Sequence, residues 1–266
     1  MFPPFVRRAV LVPLLALAAA CAVGPLNGRA TEEWTKSYPL APGGTVRIVN
    51  TNGRVDIQGV DGSNVEVNVQ KIARAATDEG ARELLPRISV KEDVTPDRVS
   101  FETARMAGIM IGARFEVQYR VKAPKTAAID ATTTNGQIAL SGLAGRVIAR
   151  TTNGGVRAAD LSGGVEAAST NGGVTVDLAS VGKDRIALRT TNGGVTLGVP
   201  EKAKADIVAT WTNGGMSVTG VDVQVSEHAR RRFEGKMNGG GTPIELHTTN
   251  GGIRLRAREV RDTEEK

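Results

Sequence analysis

Residues 147–158 read Val-Ile-Ala-Arg-Thr-Thr-Asn-Gly-Gly-Val-Arg-Ala, and residues 165–176 read Val-Glu-Ala-Ala-Ser-Thr-Asn-Gly-Gly-Val-Thr-Val. The two stretches superpose, and their shared centre, Thr-Asn-Gly, recurs seven times along the chain. Its asparagines are Asn52, Asn135, Asn153, Asn171, Asn192, Asn213 and Asn250, with spacings of 18, 18, 21 and 21 residues from Asn135 to Asn213. Met237-Asn238-Gly239-Gly240 is a degenerate eighth copy. A regular period of this length marks a repeat architecture whose coils bury their apolar faces on one another.

The flanks of the motif give the element type. Six places before asparagine stand Val46, Ile129, Val147, Val165, Ile186, Ile207 and Ile244, all β-branched. Four places before it stand Ile48, Ala131, Ala149, Ala167, Leu188, Ala209 and Leu246. Three and five places after it the apolar pattern resumes, as in Val174 and Val176 or Ile253 and Leu255. Alternation on both sides of a turn predicts two half-buried strands per repeat. Asn-Gly and Gly-Gly supply the positive φ that a sharp corner needs. An antiparallel hairpin is the rival reading. Repeats that match in register at a steady period instead favour parallel stacking, with rungs about 4.8 Å apart. The expected fold is all-β, a single-stranded parallel β-solenoid or β-helix of roughly nine to eleven rungs with short capping helices.

If parity persists through the corner, the asparagines point inward. Buried amides must be hydrogen-bonded or cost about 1–3 kcal/mol each. A structural ladder of stacked amides meets that demand, and Asn171→Ala is then expected to cost about 1–3 kcal/mol. The alternative is a row of exposed amides that binds sugars or ions. The threonine and glycine that accompany every copy favour the structural role.

The remaining segments divide the chain. Residues 1–20 read as a signal peptide, with Arg7 and Arg8 ahead of the apolar run Ala9 to Ala20. That run is shorter than the ~20 residues a membrane-spanning helix needs. Cys21, the one cysteine, follows Leu17-Ala18-Ala19-Ala20 and resembles a lipobox whose leucine stands one place farther out than usual. Lipidation at Cys21 would make the membrane a partner through an N-terminal anchor, and ordinary cleavage is the alternative. Either route makes the chain an exported protein of the cell envelope. Residues 21–42 read as a tether, 43–256 as the solenoid, and 257–266 as a charged tail. Within the solenoid, 61–128 is irregular and 129–256 carries the regular repeats. Ala73 to Leu85 and Val225 to Gly235 are predicted as short helices, the second capped by Ser226. Met106 to Gly112 is an apolar loop, either a packed hairpin tip or an exposed contact.

Composition narrows the chemistry. Aromatic residues make up 3 % of the chain, so the core must be built from Val, Ile, Leu and Ala. The net charge of +6 includes Arg7 and Arg8, and the basic clusters are short, which does not call for a nucleic-acid partner. A single cysteine excludes disulfides and thiolate metal sites within the folded domain.

The repeated Thr-Asn-Gly-Gly-Val rungs, the β-rich first section ending at Pro124, and the segment Arg231 to Gly241 (Arg-Arg-Phe-Glu-Gly-Lys-Met-Asn-Gly-Gly-Gly) together resemble a bacterial family labelled "putative adhesin". The resemblance covers roughly residues 40 to 256. It implies an exported or membrane-tethered β-solenoid and supplies no catalytic residues. The chain holds no catalytic or cofactor signature, and its two histidines, His228 and His247, read as surface residues. No catalytic, cofactor-binding or metal residue is therefore assigned. Parallel β-helices also house polysaccharide-active enzymes, which makes catalysis the architectural rival. Asp130, Glu166 and Glu245 share the column five places before asparagine, but Ile148 and Ala187 interrupt it. The expected function is a non-catalytic scaffold or adhesin-like binding module whose envelope protein or glycan partner the sequence does not name. A regulatory, envelope-stress domain is the alternative, with Trp211 or Met106 to Met110 as its contact.

Overall fold

Short apolar-alternating strands broken by Asn-Gly corners can satisfy their backbone N–H and C=O groups only by pairing with other strands. A computed structural model describes residues 26–103 and 112–258 and shows that they do so in two large sheets. The chain opens with β1 (Gly28–Pro39), β2 (Thr45–Asn52), β3 (Val55–Val60) and β4 (Asn64–Ala75). Helix α1 (Asp78–Leu84) follows, then β5 (Val90–Thr95), β6 (Arg98–Thr103) and β7 (Arg114–Pro124). Regular rungs are the strand pairs β8 (Ala128–Asn135) with β9 (Ile138–Ser141), β10 (Val147–Asn153) with β11 (Val156–Leu161), and β12 (Val165–Asn171) with β13 (Val174–Leu178). They continue as β14 (Ile186–Asn192) with β15 (Val195–Val199), and β16 (Ala205–Asn213) with β17 (Met216–Thr219). A hairpin, β18 (Gln224–Ala229) and β19 (Arg232–Met237), precedes the last pair, β20 (Thr242–Asn250) and β21 (Ile253–Ala257).

The strands that end on an asparagine lie side by side in an 11-stranded sheet, and those that follow the corner lie in a 10-stranded sheet. Pairing between regular rungs is parallel and in register, Val147 to Val165, Ala149 to Ala167 and Asn153 to Asn171. The apolar columns meet between the sheets, where Val147, Ala149, Val156 and Val174 are fully buried. The result is a nearly all-β, solenoid-like stack of mostly parallel strands, and among the described residues neither sheet closes into a barrel.

Chain order and stacking order differ at both ends. β2 and β3 sit inside β6 and β7, which come later in the chain. β20 and β21 insert between β14 and β15 on one side and β16 and β17 on the other. Beyond these rungs the added strands run antiparallel: β4 and β1 extend one sheet, and β5 and the β18–β19 hairpin extend the other.

Three expectations are corrected. Residues 28–39 are a strand and not part of a tether, because β1 pairs with β4 along its whole length and turns Trp34 and Tyr38 onto Phe101. The helix near residue 73 begins only after Thr77, whose side chain accepts the Gly80 N–H, because β4 runs on to Ala75. Residues 225–235 form no helix. They make the β18–β19 hairpin, in which β19 satisfies the open edge of β16 and buries Phe233. Among the described residues the capping elements are thus α1, the 3-10 turn Leu85–Arg87 that continues it, and a set of antiparallel strands.

The corner is built differently from its expected form. Asn135, Asn153, Asn171, Asn192, Asn213 and Asn250 are exposed, and Asn52 is half-buried. The chain rotates at the end of each strand, so parity does not carry through. Their amides still form one continuous chain, each Nδ2 donating to the Oδ1 of the next rung at 2.7–2.9 Å, from Asn213 through Asn250 to Asn52. The buried polar column lies two places earlier. There Thr151, Ser169, Thr190 and Thr248 donate to the carbonyl oxygens of Gly136, Gly154, Gly172 and Gly193 at 2.7–2.9 Å. The glycine after each asparagine lies so close to the neighbouring rung that a Cβ on Gly172, at φ +156°, would overlap the Gly154 carbonyl.

The open end near β1 is closed by the larger side chains. Trp34, Tyr38, Phe101 and Tyr119 form a chain of rings with centroids 5.8–6.4 Å apart. Glu92 on β5 ties the two sheets together, accepting from Tyr38 Oη at 2.8 Å and Lys36 Nζ at 2.7 Å. Burial alone would raise the Glu92 pKa, but the hydrogen bonds from Lys36 and Tyr38 outweigh it and hold the carboxyl below its ordinary value.

Two outcomes follow for stability. In denaturant unfolding, Gly172→Ala should cost about 2 kcal/mol or more by overpacking the corner, whereas Gly62→Ala, at positive φ in open space, should cost only the ~1–3 kcal/mol of the strained backbone, which Gly172→Ala incurs as well. Asn171→Ala, now a solvent-facing link, should fall at about 0.5–1.5 kcal/mol. A ranking with Gly62→Ala the most costly would refute this account of the corner. The second outcome concerns acid. The Glu92 pKa is lowered on folding, so its contribution is complete above the ordinary value near 4.5 and is lost as pH falls through the folded value. Glu92→Gln should therefore flatten the acid limb of the stability curve, and an unchanged limb would exclude this contact as its source.

Candidate functional site

The outward side chains of the 11-stranded sheet form columns across the rungs. Five places before asparagine the order over adjacent strands is Arg47, Asp130, Ile148, Glu166, Ala187 and Glu245. Three places before it the order is Thr132, Arg150, Ala168, Arg189 and His247. The carboxylates fall on alternate rungs, as the sequence alignment places them, and each meets an arginine. Arg150 Nη2 lies 2.6 Å from Glu166 Oε1, and Arg47 Nε lies 3.9 Å from Asp130. Glu245 takes both Arg185 and Arg189. Hydrogen bonding from Arg185 is the main reason the Glu245 carboxyl stays below its ordinary value, with partial burial opposing it and Arg189 adding to it. A glycosidase needs one carboxyl held protonated as an acid and a second at about 5–9.5 Å. Here the outward carboxylates sit on alternate rungs, each engaged by an arginine, and the hydrogen bond from Arg185 holds that of Glu245 below its ordinary value, the opposite of a retained proton.

The two histidines do not converge. His247 is half-buried on β20, with Nδ1 2.9 Å from Thr210 Oγ1. His228 is exposed on β18 with its ring centroid 5.8 Å from that of Phe233. Among the described residues no three His, Cys, Asp or Glu side chains are grouped so as to hold a metal ion. Trp211 is buried at 6 % exposure, filling on the outermost rung the place that threonine holds elsewhere, so the contact role expected for it does not stand. Cys21 and Met106 to Met110 lie outside the described residues.

Three of the surface hollows among the described residues bear on the question of a site. A shallow groove of about 430 Å³ runs over the 11-stranded sheet between Arg150, Arg189 and His247 and the outward threonines Thr152, Thr170 and Thr191. A second, of about 620 Å³, crosses β4, β7, β3 and β9 on the other sheet. Its charges are largely paired, Lys122 with Glu66 at 2.9 Å and Arg54 with Asp56 at 2.6 Å. Neither has a Phe, Tyr or Trp ring in its lining on which a sugar could stack. The third, of about 450 Å³, lies where β4 and β7 reach the asparagine corner, and it contains Arg54, Arg74 and Arg114. Reasoning from sequence missed this last group. Its members are far apart in the chain, and only the antiparallel register of β4 and β7 brings Arg74 opposite Arg114.

Among the described residues no helix is long and apolar enough to cross a membrane. No curated protein matches the chain. Among solved structures, the chain is similar to a "putative cell adhesion protein" from Clostridium sporogenes, at 13 % identity and a TM-score of 0.44 over 85 % of this chain and 100 % of that one. It is also similar to a "putative adhesin" from Bacteroides fragilis, at 9 % identity and a TM-score of 0.37 over 85 % and 97 %. The family resemblance carried by the Thr-Asn-Gly-Gly rungs holds: the family model described as Toastrack DUF4097 matches residues 43–256, and the chain belongs to that family.

Proposed function

We propose that this protein is a non-catalytic module of the cell envelope, tethered through an acylated Cys21. Its body works as a parallel β-solenoid rod that displays polar columns to envelope partners. The observation that carries the non-catalytic reading is the state of the outward carboxylates. Glu166 is paired with Arg150 and Glu245 with Arg185 and Arg189, in each case from a neighbouring rung, an arrangement that suits a rigid surface and not proton transfer. The tether is supported by the apolar run Ala9 to Ala20 that ends directly at Cys21. Two acyl chains on one residue anchor firmly, at about 0.8 kcal/mol per buried methylene. With β1 starting at Gly28, the folded body would begin within a few residues of the bilayer.

The test is intact mass and fractionation of the native protein beside a Cys21→Ser variant. The expected result is a mature chain that begins at Cys21, carries added acyl mass and sediments with membranes, all three lost in the variant. A soluble, unmodified mature chain would exclude the anchor and leave a free exported module. Turnover of an envelope polysaccharide, abolished by Glu166→Gln or Glu245→Gln, would exclude the non-catalytic reading.

A further inference from the structure

Arg29, Arg74 and Arg114 stand directly opposite one another across β1, β4 and β7. Opposed residues of antiparallel strands point to the same face with Cβ atoms ~5 Å apart, and like charges placed so are destabilising. All three side chains are exposed. Among the described residues none of the three guanidinium groups has a carboxylate partner, in contrast to Arg47, Arg150, Arg185 and Arg189. The adjoining segment 104–111 contains no acidic residue that could serve. The hollow beside Arg74 and Arg114 is floored by Ile72, which is 5 % exposed, and by half-buried Phe115. An apolar floor weakens solvent screening of the charges above it.

From this geometry we infer that the arginine row is a docking surface for the anionic headgroups of the membrane to which the protein is tethered. Guanidinium forks match phosphate oxygens bidentately, and an anion between them removes the repulsion present in the free protein. Position selects the bilayer as the source of those anions. Arg29 stands eight residues after Cys21, a length that spans at most about 29 Å when fully extended. The row therefore sits at the end of the molecule that the tether brings to the surface. In this respect the inference rests on the lipid-anchor reading above.

The experiment uses the full chain carrying Cys21→Ser, so that no acyl chain contributes and failure of the anchor cannot mimic failure of the surface. Partition is measured onto phosphatidylglycerol–phosphatidylcholine vesicles and onto phosphatidylcholine alone. The leader is common to every variant, so the readout is the change in preference for the anionic vesicles. Each arginine near an anionic surface is expected to contribute about five-fold. Arg74→Gln/Arg114→Gln should thus lower that preference by about 25-fold and leave binding to neutral vesicles unchanged, with the wild-type preference falling as salt rises. The same variant should melt no lower than wild type, because it relieves repulsion. An unchanged preference in the double variant, or a lower melting temperature, would overturn the proposal. So would loss of vesicle binding to millimolar soluble glycerol phosphate, which would reassign the row to a small free anion.

Discussion

The close approach of backbone to backbone at the asparagine corner is the constraint on which the rest of the fold depends. A residue with a Cβ cannot occupy the position of Gly154, Gly172, Gly193 or Gly251, because the neighbouring rung's carbonyl oxygen already fills that space. Once those glycines are in place, each corner carbonyl is left to find a donor. The threonine or serine two residues before the asparagine supplies it from within the core. The asparagine amides then link the same corners from outside. Two hydrogen-bonded columns therefore lock every rung to the next on either side of one glycine column. Register is hard to slip under that arrangement, since a shift of one residue would break both columns and put a side chain where only hydrogen fits.

The ends of the stack meet a different problem. A parallel stack exposes unpaired edges that invite aggregation. Among the described residues three of the four sheet edges are extended past the parallel rungs, and the four-residue strand β17 is left as the fourth. The first rung along the chain, β2 and β3, and the last, β20 and β21, each lie one layer inside the stack, covered by rungs from elsewhere in the chain. Antiparallel strands then extend the sheets beyond these rungs, with the aromatic cluster at one end and Trp211 and Phe233 buried at the other. The last strand is also pinned from its far side, where Arg256 reaches Asp177 at 2.7 Å and Arg258 reaches Asp160. Fraying of the last strand must therefore break ion pairs to two other rungs, and not only its own ladder.

How much of this was legible from sequence follows from the range of each interaction. The rungs, their parallel register and the apolar columns could be read because they repeat, and a repeat writes its own register. The amide ladder was legible as a set of residues but not in its orientation. Parity describes a straight strand, and each strand turns before Asn153 or Asn171 is reached. The true buried polar column, Thr151, Ser169 and Thr190, stands in the same alignment but carries no sign of its face, because threonine suits either face of a strand. The capping strands were misread where local composition favours a helix, as at residues 225–235, because the open edge of β16 decides their state and it lies elsewhere in the chain. β1 was missed for a similar reason, since its partner β4 begins only at Asn64.

Electrostatics separates the two kinds of surface on this molecule. Along the regular rungs, opposite charges are interleaved between neighbouring strands, so the field of Arg150 or Arg189 is largely cancelled within one or two rung spacings and screened beyond about 8 Å. Such a face offers shape and hydroxyl groups but little long-range attraction. At the β1–β4–β7 end the same residue type is placed like against like, across a register fixed by twelve consecutive paired residues in β1. The strands there are long and well paired, so their backbone hydrogen bonds can support a repulsion that a short edge strand could not. The difference between the two surfaces lies in which strand neighbours which, and not in composition. The row of like charges therefore sits in the irregular part of the chain, on β1, β4 and β7, while the interleaved ion pairs sit on the regular rungs.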